Sequence, residues 1–274
     1  MIRLLVALAC SGLVACSMVV SPAQRQAQAD QLAQARAWQA VRLDTEQMVL
    51  VAYLPRRIQA GVPLAIYIEG DGLAWMSPSQ PSADPTPREP IGLQLALAHP
   101  SGNAAYLARP CQYVDAEQSA CPQAYWTEQR FAPAVVAATN QAVDQLKQRF
   151  AARDLTLVGY SGGGTMAALV AARRSDVVRL VTVAGNLDPS AWTAYHRLQP
   201  LTGSLSPVDD VSRLQDLPQL HLVGGQDTNV PPWLAEGFAR RFSRPLSPGV
   251  QVIEPFDHQC CWVAQWPALW MRAW

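Results

Sequence analysis

The chain has 274 residues, of which 50% are hydrophobic, so it holds enough apolar material for a sizeable folded core. Lysine plus arginine and aspartate plus glutamate each number 21, which gives a formal net charge of zero. No run of basic residues is present. A chain without a basic patch is not expected to bind nucleic acid.

The first residues have the pattern of a processed export signal. Arg3 precedes the apolar run 4–14, which is about half the length that a transmembrane helix needs. The run leads into Leu-Val-Ala-Cys at 13–16, which resembles the lipobox of bacterial lipoproteins, where cleavage before Cys16 leaves a lipid-modified N-terminus. By the same resemblance, Ser17 favours anchoring in the outer membrane of a Gram-negative bacterium. The alternative is a plain secretory signal, and both readings place the mature protein outside the cytoplasm.

The segment that follows is predicted to be a spacer. Residues 21–40 are rich in alanine and glutamine and poor in large apolar side chains, which is typical of an intermittently helical tether. We therefore expect a signal peptide over 1–15, a tether over 16–40 and one folded domain over 41–274.

Four cysteines follow the signal and the lipobox. We expect a bridge between Cys111 and Cys121 across a short loop, as suits an oxidising periplasm. The adjacent Cys260 and Cys261 could form a vicinal disulfide, leave one thiol free or pair with the other two cysteines, and the sequence does not choose. No metal site is expected, because His258 is the only histidine near them and no second pair of ligands has suitable spacing.

Short apolar, β-branched runs alternate with helix-like segments along the rest of the chain, and this alternation predicts a mostly parallel sheet covered on both faces. The predicted strands are 48–54, 64–68, 104–107, 155–158, 177–183, 221–223 and 250–253. The predicted helices are 91–98, 131–150, 165–174, 232–242 and 261–271. On the last helix Trp262, Trp266 and Trp270 recur every four residues, which favours packing against the sheet over a membrane-facing belt.

Two long segments interrupt the alternation. Residues 77–90 contain too many prolines for a helix or an interior strand and are predicted to be an extended loop. Residues 186–218 carry Trp192, Tyr195 and His196 and are followed by Trp233. They could form a small cap over a pocket or a surface loop anchored by its aromatic side chains.

The most informative motif is Gly-Tyr-Ser-Gly-Gly at 159–163. It lies between a predicted strand and a predicted helix, as a nucleophile elbow does, where a strained turn exposes the serine hydroxyl. Side chains at Gly159 or Gly163 would clash with neighbouring backbone in such a turn. The motif therefore predicts Ser161 as a catalytic nucleophile, against the alternative of an ordinary glycine-rich turn.

A serine nucleophile needs a base to take its proton and a carboxylate to orient that base. In the chain order serine, acid, histidine, Asp227 follows the strand 221–223 and His258 follows the strand 250–253. His196 is the main competitor for the base but precedes Asp227. The other residues weighed are the histidines His99 and His221, which fit structural roles, and the acids Asp188, Asp209 and Asp210.

These residues, in this order over 45–274, resemble the α/β-hydrolase superfamily. The motifs at 69–72, 84–88 and 108–113 also make the chain similar to a group of proteobacterial hydrolase-like lipoproteins. The resemblance implies an α/β-hydrolase fold, with a small cap or long loop insertion, and a serine hydrolase of the cell envelope that acts on ester or thioester bonds of a small-molecule or lipid acyl substrate without a cofactor. A peptidase or amidase is the second reading, and a non-catalytic envelope-binding lipoprotein is the third.

The oxyanion hole is predicted from the same resemblance. One donor is the amide of Gly162, the residue after the nucleophile, and the other comes from the loop after strand 64–68. That loop reads Glu-Gly-Asp-Gly at 69–72, where many hydrolases carry a His-Gly pair before the donor, so the match assigns the Asp71 amide, with Gly72 next. The carboxylates of Glu69 and Asp71 would oppose an oxyanion, so we expect them to turn away towards neighbouring loops, with Arg88 or Arg109 as ion-pair partners.

Overall fold

The computed structural model describes residues 20–114 and 121–273, and within them a sheet of eight strands forms the centre of the fold, with a separate two-stranded hairpin. The strands are β1 (Trp38–Asp44), β2 (Val49–Pro55), β3 (Leu64–Ile68), β4 (Trp75–Ser77), β5 (Gln80–Pro81), β6 (Asn103–Leu107), β7 (Leu155–Tyr160), β8 (Val177–Val183), β9 (Gln219–Gly224) and β10 (Pro248–Ile253). The helices are α1 (Pro22–Gln34), α2 (Ile91–Leu97), α3 (Pro133–Arg149), α4 (Gly162–Ala171), α5 (Pro189–Tyr195), α6 (Val211–Leu214), α7 (Pro232–Ala239) and α8 (Trp262–Trp270).

The strand order of the main sheet is β1-β2-β6-β3-β7-β8-β9-β10. β1 and β2 pair antiparallel, β2 pairs antiparallel with β6, and every other neighbouring pair is parallel. The prediction of a mostly parallel sheet is therefore confirmed. Because parallel strands share a direction, the loops after β3, β7, β9 and β10 emerge at the same edge of the sheet, where ligands bind in open α/β sheets.

Alternating side chains of β3 show how both faces of the sheet are covered. Leu64, Ile66 and Ile68 belong to one buried cluster, which includes side chains of α3 and α4. Ala65 and Tyr67 belong to the other, which includes side chains of α2 and α8. In a strand that is buried on both faces, polar and apolar residues do not alternate. The sequence of β3 is therefore a continuous apolar run.

The tryptophan stripe of α8 lies in the second of these clusters. Trp262, Trp266 and Trp270 are all buried, and the indole nitrogen of Trp266 donates a hydrogen bond to the hydroxyl of Tyr67 at 2.9 Å. The predicted packing against the sheet is confirmed. Among residues 20–114 and 121–273, no helix combines the length and the apolar character needed to cross a membrane.

The predicted tether and the predicted start of the domain need correction. Residues 22–34 form α1, whose N-terminus carries a capping box between Ser21 and Gln24, and whose Ala29 and Ala33 are buried in the core. β1 then runs from Trp38 to Asp44, so the expected boundary at residue 41 falls inside a strand. Small alanines suit a helix that packs closely on the domain, and the many glutamines between them lower the mean hydropathy of the segment, so its composition did not reveal this packing. Cys16 and residues 1–15 lie outside the described residues.

The predicted strands all occur with ends within two residues, and the predicted helices with ends within three. α4 begins at Gly162 instead of residue 165, because the glycines of the elbow form its first turn. The structure adds β1, α1, the β4–β5 hairpin where the proline-rich segment begins, and α5 and α6 within residues 186–218.

The structure pairs the cysteines as two disulfides. Cys111 is bonded to Cys121, with their Cα atoms 5.6 Å apart, which agrees with the expectation. Cys260 is bonded to Cys261, which selects the vicinal arrangement among the alternatives.

Candidate active site

Ser161 lies in the turn between β7 and α4, and its backbone has a conformation that few residues other than glycine adopt. Its φ is 51° and its ψ is −123°, outside the ordinary regions for a residue other than glycine. The turn is possible because its neighbours lack side chains: a Cβ at Gly159 would collide with the carbonyl of Gly163, and a Cβ at Gly163 would collide with the backbone of β3. The hydroxyl of Ser161 therefore projects from the sheet edge, as expected of an elbow.

Ser161, His258 and Asp227 come together from three loops at the same sheet edge. The Nε2 atom of His258 lies 3.0 Å from the Oγ of Ser161, and its Nδ1 lies 2.8 Å from Oδ2 of Asp227. Both distances are hydrogen-bond lengths. The three residues selected from sequence order are thus connected in one chain from hydroxyl to imidazole to carboxylate.

The orientation of Asp227 is held by the turn that follows it. Its side chain is fully buried, and its Oδ1 accepts hydrogen bonds from the amides of Asn229 at 2.8 Å and Val230 at 2.7 Å. Oδ2 is therefore the oxygen that remains for His258. The two amide bonds hold the carboxylate in the position from which the acid of a triad orients its histidine.

Tyr160 helps to hold His258 in place. Its hydroxyl donates a hydrogen bond to the carbonyl of His258 at 3.0 Å, and the two ring centres are 5.5 Å apart. Burial, together with the charges of Glu69 and Asp227, raises the pKa of Tyr160 well above its ordinary value, so the phenol remains a donor. The sequence showed Tyr160 as part of the elbow motif but gave no sign of this role, which depends on a contact across 98 positions of the chain.

The alternative bases and acids have other partners. His221 is buried beside Thr182 and His99 is bonded to the hydroxyl of Tyr67, and burial lowers the pKa of these histidines to about 3 and about 4. His196 is bonded to the carbonyl of Asn229. Asp188 caps α5 and pairs with Arg241, and Asp210 pairs with Arg173 and Arg213.

The predicted oxyanion residues Gly162, Asp71 and Gly72 line the same cleft as Ser161. Gly162 is the first residue of α4, where amides have no acceptor within the helix. Asp71 follows β3, and its carboxylate lies so close to Gly162 that a Cβ there would collide with Oδ1. Gly72, at a φ of 63°, packs against the carbonyl of Pro85 and also lines the cleft.

Two arginines neutralise the carboxylate of Asp71. Arg109 Nη1 lies 3.1 Å from Oδ1 and Arg130 Nη1 lies 2.5 Å from Oδ2. Burial alone would raise the pKa of Asp71, but Arg130 and Arg109 outweigh it and hold that pKa below its ordinary value. The expected pairing with Arg109 is found. Arg130, which lies before α3, was missed because no motif marks it.

The carboxylate of Glu69 is bonded to the first turn of α2. Glu69 is buried, and its carboxylate accepts the amides of Gly70 and Gly92 at 3.0 Å each and that of Leu93 at 3.4 Å. Burial raises its pKa, although the amides of Gly70, Gly92 and Leu93 act in the opposite direction. Glu69 therefore has the role of a helix-capping group, and the loop 69–72 presents its backbone to the serine.

A cleft of about 730 Å³ opens around Ser161 and His258. Its wall is mixed in character, with charged side chains and two tryptophans. Trp192 from the cap segment lines it, and its indole nitrogen donates to the carbonyl of Asn229. The cap interpretation of this part of 186–218 therefore agrees with the structure. Within the two described stretches of chain, no cluster of three or more histidine, cysteine, aspartate or glutamate side chains is arranged to hold a metal ion.

The strand order, the elbow after β7 and the mostly parallel sheet define the α/β-hydrolase fold, and solved structures agree. Est1E from Butyrivibrio proteoclasticus matches with a TM-score of 0.57 and 15% identity, over 85% of this chain and 98% of its own. A Pyrococcus furiosus esterase matches with a TM-score of 0.57 and 12% identity, over 85% of this chain and 87% of its own.

A puromycin-hydrolysing peptidase from Mycobacterium tuberculosis matches with a TM-score of 0.59 and 16% identity, over 85% of this chain but only 37% of its own. No protein-family model matches the chain, and neither does any curated protein. At these identities the likeness defines the fold, and the activity has to be argued from the site.

Proposed function

We propose that the protein is a serine hydrolase that cleaves ester bonds through an acyl-enzyme. The single observation that carries this is the connected chain of hydrogen bonds from Ser161 through His258 to Asp227. Each member also has the setting that its role needs: a half-buried serine in a strained turn, a partly exposed histidine and a buried, amide-bonded carboxylate.

The reaction follows from these positions. Oγ of Ser161 attacks the acyl carbon while Nε2 of His258 takes its proton, and Asp227 holds the Nδ1 proton and stabilises the imidazolium. The tetrahedral oxyanion lies between the amides of Gly162 and Asp71. The imidazolium then protonates the leaving alcohol, and a water molecule activated by His258 releases the acid and restores Ser161.

The ion pairs of Asp71 make this oxyanion site electrostatically possible. A lone carboxylate beside Gly162 would repel the developing negative charge. With Arg109 and Arg130 bound to it, the group of three side chains has a formal charge of plus one. The pairs also fix the Asp71 side chain, and hence the direction of its backbone amide.

Ester substrates are our first choice over amides. The matched Pyrococcus furiosus esterase is covered over 87% of its length, whereas the matched peptidase is covered over 37%. A peptidase or amidase remains the second candidate, since the elbow itself does not select the leaving group. The third candidate, a non-catalytic binding protein, gives no reason for the three connected side chains.

We further propose that the protein works in the cell envelope as a lipoprotein anchored through Cys16. The lipobox supports the anchor, and the disulfide between Cys111 and Cys121 suits an oxidising compartment. Labelling with a radioactive fatty acid tests the anchor, because it should disappear in Cys16→Ser.

Paired substrates test the activity. Purified protein should hydrolyse p-nitrophenyl acetate and butyrate, and hydrolyse the matching p-nitroanilides far more slowly. Ser161→Ala should abolish ester turnover, while Ser175→Ala, which replaces an exposed serine, should leave it unchanged. Faster turnover of the anilides than of the esters would favour the amidase. Equal rates in wild type and Ser161→Ala would refute the serine hydrolase.

A further inference from the structure

The beginning of the described chain is fixed to a loop beside the cleft. One guanidinium, that of Arg25, donates from Nη1 to the carbonyl of Val20 at 2.8 Å and from Nη2 to Oδ1 of Asp84 at 3.0 Å. Arg25 is itself buried. Val20 and Asp84 therefore lie within roughly 8 Å, two hydrogen-bond lengths plus the width of the guanidinium.

The loop around Asp84 is hydrogen-bonded to residues of the cleft wall. The hydroxyl of Ser82 lies within hydrogen-bond distance of the carbonyls of Leu73 and Asp84, and the amide of Leu73 donates to the carbonyl of Pro85. Leu73 and residues 87–89 line the cleft itself. The start of the described chain and the mouth of the cleft are consequently on the same side of the molecule.

The β4–β5 hairpin stands at this mouth and presents two large apolar side chains to solvent. Trp75 is 38% exposed and Met76 is 41% exposed. The hairpin has firm support, because Ala74 packs in a small core with the Cys111–Cys121 disulfide and Trp126. Trp75 and Met76 are therefore exposed although the segment that carries them is well packed.

The distance to the predicted anchor is short. Cys16 precedes Val20 by four residues, which span at most roughly 14 Å when fully extended. The tether expected from the composition would have allowed a much longer reach, but α1 packs on the domain and removes that slack. A lipid on Cys16 therefore holds the hairpin close to the bilayer.

We propose that the hairpin residues Trp75 and Met76 contact the bilayer in which the lipid of Cys16 is inserted, and that the cleft receives an acyl-ester lipid from that bilayer. This inference rests on the proposed function and on the proposed lipid anchor. Tryptophan suits this position because its ring is amphipathic and favours the membrane interface. The cleft then opens onto the surface that supplies its substrate.

The first test uses the full-length, lipidated protein in vesicles of phosphatidylethanolamine and phosphatidylglycerol. The readout is the ratio of turnover of vesicle-embedded p-nitrophenyl palmitate to that of soluble p-nitrophenyl acetate. Met76→Glu should lower this ratio about tenfold. Val178→Glu is the matched control, because Val178 is 45% exposed and lies near the start of β8, at the opposite end of the sheet, so it should leave the ratio unchanged.

The second test lengthens the anchor. Twenty Gly/Ser residues inserted after Met18 add a mean reach of roughly 25 Å, and they should lower the same ratio without Met76 being altered. Equal ratios in wild type, Met76→Glu and the insertion variant would overturn the inference.

A spectroscopic measurement separates this inference from the proposed function. The emission of Trp75 is obtained as the difference in tryptophan fluorescence between wild type and Trp75→Phe. Brominated lipids should quench this emission whether or not the protein hydrolyses esters. Quenching without any esterase activity would support the bilayer contact and sink the hydrolase. Activity on soluble esters without quenching would support the hydrolase and sink the bilayer contact.

Discussion

Replacing Asp227 by asparagine should reverse the tautomer of His258. In the native site Oδ1 of Asp227 accepts the amides of Asn229 and Val230, and Oδ2 faces Nδ1 of His258 at 2.8 Å. An asparagine keeps those two amide bonds only if its oxygen replaces Oδ1. Its NH2 group then points at Nδ1 and donates to it.

The consequence falls on the nucleophile. With Nδ1 accepting, the imidazole proton lies on Nε2, which is 3.0 Å from Oγ of Ser161 and can no longer take the serine proton. An acid-to-amide change of this kind in a serine protease triad lowers kcat about 10⁴-fold, which corresponds to about 5.5 kcal/mol of transition-state stabilisation. The free energy of unfolding should change by only about 1 kcal/mol, because the hydrogen bonds are kept.

The assay is kcat and KM for p-nitrophenyl butyrate with urea unfolding of the same preparations. We expect the loss in kcat with little change in KM. Asp188→Asn is the matched control, since Asp188 caps α5 and pairs with Arg241 away from Ser161, and its kcat should remain near that of wild type. A loss below tenfold in Asp227→Asn, or equal losses in both variants, would refute the reasoning.

Three further predictions concern the fold around the site. Burial lowers the pKa of His221 to about 3 and of His99 to about 4, so the unfolded chain binds protons near pH 5 that the native chain does not. Each histidine should therefore reduce the unfolding free energy by about 2 kcal/mol between pH 7 and pH 5, and urea titrations at both pH values check this, a flat profile being the contrary result. Replacing both Cys111 and Cys121 by serine removes a disulfide between residues 10 positions apart. The free energy of unfolding should fall by about 3 kcal/mol. Calorimetry would detect this loss as a lower melting temperature, and an unchanged melting temperature would contradict the prediction. Gly163→Ala drives a Cβ into the backbone of β3 and should abolish ester turnover while lowering stability by about 1–3 kcal/mol, whereas an active variant would show that the elbow is looser than described.

The parts of the structure that were predictable from sequence are those with a local signal. The interior strands have continuous apolar sequences because both of their faces are buried. The elbow has a recognisable glycine pattern because its turn leaves no room for Cβ atoms. Asp227 and His258 could be chosen because each follows a strand in the order expected of the superfamily, and parallel strands bring such loops to one edge.

The parts that were missed depend on contacts between distant residues. α1 has little hydropathy of its own, and its attachment rests on small buried alanines and on the ion pair between Arg25 and Asp84, 59 positions apart. Arg130 reaches Asp71 across the same separation, and nothing near Arg130 in the sequence indicates a binding role. Short antiparallel pieces such as β4 and β5 are stabilised by the small core beneath them rather than by strand propensity.

The most direct test of the account is covalent labelling of the nucleophile. Wild-type protein, Ser161→Ala and His258→Ala are treated with a fluorophosphonate probe, and the modified peptide is identified by mass spectrometry. We predict labelling at Ser161 in wild type and none in either variant. A well-folded wild type that is not labelled, or labelling that persists in Ser161→Ala, would contradict the central claim that Ser161 is an activated nucleophile.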